Sequence, residues 1–97
     1  MKDYRFFAEV YDDISSTVEW LEERRDGLGL EFESAFFSAV QTARSRPESF
    51  ATDGTGYRPV RLEKFSAVMN FAIEDEVIVV AGVFMGGRSE SNLEERG

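Results

Sequence analysis

Apolar and polar positions alternate loosely at the start of the chain. Tyr4, Phe6, Ala8 and Val10 share one side of an extended segment, and its aromatic and β-branched content favours a strand. At Tyr11 the period changes. Tyr11, Ile14, Val18 and Leu21 recur three and four residues apart, which predicts a helix with one buried stripe. Asp12 and Asp13 suit its start, and Ser16 and Glu19 have the spacing of a capping box. Gly27 and Gly29 end this helix and form a short connector. A second helix is expected from about Leu30 to Arg44, its apolar face traced by Leu28, Phe32, Ala35, Phe36, Ala39, Val40 and Ala43. Glu31 and Glu33 near its start and Arg44 and Arg46 near its end suit the helix dipole, and Pro47 stops it. So short a connector makes the pair an antiparallel hairpin.

A loop follows from Phe50 to Gly56, with Asp53-Gly54 and Gly56 as turn signals. The period then returns to two. Val60 and Leu62 alternate with Arg61 and Glu63, and Ala67, Met69, Phe71 and Ile73 alternate with Val68, Asn70 and Ala72. Glu74-Asp75-Glu76 has the polarity of a tight turn. Val77 to Met85 is almost wholly apolar, the mark of a central strand covered on both faces. Gly86-Gly87 breaks it, and the polar stretch from Ser89 to Gly97 is expected to fray or to form a last short helical turn. The pattern predicts an α+β fold of one domain, residues 1–97: an N-terminal strand, a helical hairpin on one face, then a three-strand antiparallel meander.

Composition narrows the chemistry. The 97 residues include neither Cys nor His. Disulfides, thiolate nucleophiles, the Ser-His-Asp triad and Cys or His metal sites are therefore excluded. Catalysis by this chain has only carboxylates, Lys, Arg, Tyr and backbone groups to draw on. No spacing among the acids resembles a calcium loop, and no metal or cofactor is expected. The longest apolar run is far too short to span a membrane. The first residues carry charge at Lys2, Asp3 and Arg5 without a signal-peptide core, so a cytoplasmic protein is expected.

Charge is uneven. The net charge is −8, which disfavours non-specific binding to nucleic acid or an anionic membrane. Most of it sits between Glu9 and Glu33, where nine acids face only Arg24 and Arg25. Later, Arg58, Arg61 and Lys64 cluster with only Glu63 against them. Such a cluster suits either phosphate contact or a solvated edge strand, where charge discourages aggregation.

Taken in order, the motifs resemble the RelE/ParE toxin superfamily, the plasmid stabilisation proteins of bacterial toxin–antitoxin systems. The resemblance runs from Tyr4 to Arg96. It rests on Asp13-Ile14, Val18-Glu19-Trp20-Leu21, the junction Gly27-Leu28-Gly29-Leu30-Glu31-Phe32, and Pro47-Glu48-Ser49-Phe50. It continues through the arginine-bearing segment from Tyr57 to Ala67 and the apolar strand that leads to Arg88. Five positions depart from the family pattern. Phe65-Ser66-Ala67 replaces a Phe-Pro-Tyr turn, Met85 stands where a His is usual, Gly87 replaces a basic residue, and Leu93 replaces a Trp.

The resemblance implies a toxin whose partner is a cognate antitoxin. In ribonuclease members, basic side chains on the sheet hold mRNA in the ribosome. By that likeness Arg58, Arg61, Lys64 and Arg88 are the candidate catalytic positions of a metal-independent endoribonuclease, and Trp20, Tyr57 and Phe65 are candidate partner-binding positions. The other branch, typified by ParE, inhibits DNA gyrase through a protein surface. Ribosome binding draws on many phosphate contacts, so the acidity favours the protein-inhibiting branch over the nuclease. The departures keep open an inactive binding module on the same fold. A homodimer is a further option.

Overall fold

A helical hairpin lies against one face of a four-stranded sheet in the computed structural model, which describes residues 1–86. Arg88, Gly87 and the polar tail from Ser89 lie outside the described residues. The elements are β1 (Asp3–Phe6), α1 (Glu9–Glu22), α2 (Leu28–Ser45), a 3-10 turn (Pro47–Ser49), β2 (Arg58–Arg61), β3 (Ala67–Glu74) and β4 (Val77–Met85). The strands lie in the order β1-β4-β3-β2. β2, β3 and β4 form the antiparallel meander. β1 pairs with β4 in parallel. Parallel neighbours need a long crossover, and the helical hairpin begins the excursion that separates these two strands.

The apolar run Val77–Met85 forms the interior strand β4, flanked by β1 and β3, and its residues Ile78 to Phe84 are buried. Between Asn70 and Phe71 the register with β4 shifts, because Ala81 is an extra residue on β4. The main core joins Val10, Ile14 and Leu21 of α1 and Phe32, Phe36 and Val40 of α2 to Val60, Met69, Phe71, Ile78 and Val80 of the sheet. Each such side chain contributes roughly 1.5–3 kcal/mol by leaving water. A smaller cluster of Ala81 and Phe84 with Phe7 and Tyr57 lies on the opposite sheet face.

Two local expectations are corrected. The first strand ends at Phe6 rather than reaching Val10, and α1 starts at Glu9, ahead of Asp12 and Asp13. Ala8 occupies the cap position without a side-chain cap bond, so the Ser16–Glu19 capping box is not used. Glu9 and Asp12 in the first turn complement the helix dipole. The buried stripe of α1 is therefore Val10, Ile14, Thr17 and Leu21. Tyr11 is 62% exposed and meets Phe6 edge-on, ring centroids 5.8 Å apart. Ile14 and Leu21 are common to both stripes, so the helix was legible while its rotation was not.

The hairpin turn is built by glycines and one carboxylate. Gly27 adopts φ 87°, in the left-handed region. A Cβ on Gly29 would come within 2.7 Å of Val18 Cγ1, so Gly there lets the helices close. The Glu22 carboxylate, at the end of α1, accepts the amide N–H groups of Gly27 (3.1 Å) and Gly29 (2.6 Å). It thus places negative charge at the N-terminus of α2.

Candidate functional site

A groove of about 810 Å³ runs between α2 and the edge strand β2. Its α2 wall carries Ser34, Ser38, Thr42 and Arg46, which recur every four residues along one face, with Ala35 and Ala39 beside them. Small side chains there keep the groove open. Phe50 and the segment from Pro59 to Val60 form part of the other side, and Arg61, Glu63, Lys64 and Phe65 complete it. Phe50 and Phe65 are anchored from behind. Phe50 packs edge-on against Phe71 at 5.9 Å, and Phe65 against Phe32 at 5.4 Å.

Of the candidate catalytic positions, the groove brings together Arg61 and Lys64. Arg58 is half-buried, and its guanidinium Nη1 donates to the Phe50 carbonyl. Arg88 lies outside the described residues. Lys64 is exposed in the β2–β3 turn and holds φ 69°. For a residue with a Cβ, that left-handed conformation costs roughly 1–2 kcal/mol. The turn is closed by hydrogen bonds from Leu62 N–H to the Ala67 carbonyl and from Gly86 N–H to the Ser66 carbonyl.

The candidate partner-binding positions separate. Phe65 lines the groove. Tyr57 is half-buried against Ala81 and Phe84, on the sheet face away from the helices. Trp20 is 44% exposed on α1, with the Arg24 guanidinium 3.4 Å from its ring centroid. Arg46 was a residue that sequence reasoning assigned only to the helix dipole. The signal for it was present in the four-residue recurrence from Ser34 to Arg46, a polar stripe beside the apolar one.

Elsewhere, several charged groups have local partners. Lys2 Nζ pairs with Glu76 at 2.8 Å beside a recess of about 460 Å³ near the start of β1. This hydrogen bond raises the Lys2 pKa and lowers that of Glu76. The Asp53 carboxylate is held below its ordinary range by the Thr55 hydroxyl and by the Thr55 and Tyr57 amides. Asp13 accepts the Val83 amide N–H at 3.2 Å, tying α1 to β4. Among the described residues, no group of three or more Asp and Glu side chains is placed to hold a metal ion, and no helix is long and apolar enough to cross a membrane.

No family model matches the chain, and no curated protein matches it. Among solved structures, it is similar to a chain of the chromosomal ParDE toxin–antitoxin system from P. aeruginosa. The TM-score is 0.76 at 12% identity, over 88% of this chain and 96% of that one. The order of elements, the helical hairpin and the meander are thus those of a RelE/ParE-like toxin fold.

Proposed function

We propose that this protein is the toxin component of a type II toxin–antitoxin system, that its partner is a cognate antitoxin, and that it inhibits a protein target, as ParE-like toxins do, rather than cleaving mRNA. The observation that carries this reading is the near full-length likeness to a chain of the ParDE system. The preference for protein inhibition rests on the chain's own chemistry. It has no His or Cys to move a proton, its net charge is −8, and Arg58 is engaged with a backbone carbonyl. DNA gyrase is the target class this branch suggests. The action is proposed to occur in the cytoplasm.

Induced expression is expected to arrest growth, and co-expression of the small gene beside this one is expected to restore it and to yield a complex on pull-down. The purified chain is expected to inhibit gyrase supercoiling and to leave mRNA intact in a purified translation system. Ribosome-dependent cleavage would reverse the preference. Harmless expression together with retained antitoxin binding would instead assign an inactive binding module, the reading favoured by Met85 and by Ser66-Ala67 at positions where the family carries His and Pro-Tyr.

A further inference from the structure

The two edges of the sheet, β2 and β1, are finished differently. On β2 the Leu62-to-Ala67 hydrogen bond sets the ladder so that Pro59 and Arg61 turn their backbone groups outward. A proline and a charge blunt that edge. On β1 the Phe7 amide donates to the Val80 carbonyl, so Asp3, Arg5 and Phe7 turn their backbone groups towards β4. Lys2, Tyr4 and Phe6 turn theirs outward. Lys2 is covered, because its N–H donates to the Arg44 carbonyl at 3.1 Å and Arg44 Nε donates to its carbonyl at 2.7 Å. The outward N–H and C=O groups of Tyr4 and Phe6 have no partner among the described residues. No Pro, Gly or bulge interrupts this strand. Arg5, the one cation between them, is drawn inward across β4 to Glu74 on β3 at 2.9 Å. An aromatic patch borders the same edge. Phe6 meets Tyr4, Tyr11 and Phe37 with ring centroids 5.4, 5.8 and 6.4 Å apart, and those three rings are 42%, 62% and 44% exposed. Exposed aromatic rings gathered beside an open strand edge mark a protein interface.

We propose that the β1 edge is the interface of a homodimer, in which β1 of a second copy pairs antiparallel with it and joins the two sheets into one. The free groups are complementary to their own two-fold image. Tyr4 beside Phe6 of the second copy, and Phe6 beside Tyr4 of the second copy, use every outward N–H and C=O that is free. That register places Arg5 opposite itself on the sheet face away from the helices, where Glu74 holds each guanidinium back from the two-fold axis. Asp3, which has no ion pair among the described residues, then lies diagonally across from Arg5 of the second copy, within reach of an opposite charge. On the helix face the two aromatic patches meet. They supply most of the affinity, because so short a ladder supplies little. A strand of an unrelated partner would find only Tyr4 and Phe6 to pair with and would leave its own outer edge bare, whereas a two-fold pair covers both edges. The proposal goes beyond the toxin reading and does not depend on it.

Sedimentation velocity between about 1 and 500 μM protein, the range in which small interfaces dissociate, is expected to show the mass rise from one chain to two. Tyr4→Pro removes an outward N–H and no bond to β4, and Tyr11→Lys with Phe37→Ser alters the patch alone. Each is expected to weaken the dimer about tenfold or more, with circular dichroism to check the fold. The register has its own readout. The chain has no Cys, so Arg5→Cys sets a single thiol opposite its copy in a non-hydrogen-bonded pair, where Cα atoms lie about 4.5 Å apart and a disulfide fits. Arg5→Cys is expected to cross-link on mild oxidation. Asp3→Cys, on the same face but opposite Phe7 of the second copy, is not. A one-chain mass at every concentration would overturn the proposal, as would a dimer that both sets of edge variants leave unchanged. Cross-linking of Asp3→Cys in place of Arg5→Cys would overturn the register. A chain that stays single, and whose complex with the antitoxin is weakened by Tyr4→Pro, would assign the edge to the antitoxin instead.

Discussion

Asn70 is completely buried, and neither atom of its amide has a hydrogen-bond partner among the described residues. The register explains why. Its cross-strand neighbours are Pro59 on β2 and Gly82 on β4, and neither carries a polar side chain. A buried polar group left unpaired costs about 1–3 kcal/mol. Asn70→Leu, of similar size, is therefore expected to raise the unfolding free energy by about that amount in a urea titration, with an unchanged m value. Destabilisation would show that the amide is satisfied in solution by a group such as a buried water. At this scale the sequence was only half legible. Asn70 was visible as the polar member of an alternating strand, and alternation is blind to what covers the second face. Arg61 and Lys64 were readable as a cluster because they are neighbours in the chain. Arg46 joins them only because the helix carries it to the same groove.

At the scale of elements, the joint between the helices carries a pH signature. Glu22 has a pKa below its ordinary 4.5, because the amides of Gly27 and then Gly29 donate to its carboxylate. A depressed carboxylate stabilises the folded state in full above about pH 4.5 and loses that contribution as pH falls through its lowered folded value. Glu22→Gln is accordingly expected to lower stability at neutral pH and to flatten the acid limb of the stability profile below pH 4.5, as read from denaturation midpoints. Equal pH slopes for the two proteins would remove Glu22 from the account. The elements themselves were largely legible. Val77–Met85 was expected and observed with the same bounds, because a run buried on both faces is apolar throughout. The start of α1 was not, because Ala8 and Val10 satisfy strand and helix periods alike. The choice between them falls to packing: Val10 is fully buried in the core one turn before Ile14.

Across the whole molecule, repulsion and screening decide the response to salt. The segment from Glu9 to Glu33 carries nine acids and two arginines, whereas the three ion pairs among the described residues join mostly exposed side chains. Exposed pairs contribute at most about 1 kcal/mol each, so salt removes more repulsion than attraction. The melting temperature is expected to rise by a few degrees between about 0.02 and 0.3 M salt, and a fall would show that the ion pairs dominate. The α+β class and the hairpin-plus-meander order were readable from the periods alone. The sheet order and the parallel pairing of β1 were not, since nothing in a four-residue strand specifies a partner so far along the chain.

That distant partner bears on how the protein comes into being. The helical hairpin and the β3–β4 hairpin are local and close over short loops, but Asp3 to Phe6 must wait for Val77 to Val80. On a ribosome, the first strand is made and then stays without its neighbour until β4 has followed. Pairing over so long a stretch of chain slows folding and leaves an edge exposed meanwhile. The groove beside α2 likewise exists only after β2 has found β3. A nascent chain therefore has no finished groove before β3 is made, and the whole sheet closes only once β4 has followed. For the toxin proposed above, that delay would give an antitoxin time to be present before there is anything to neutralise.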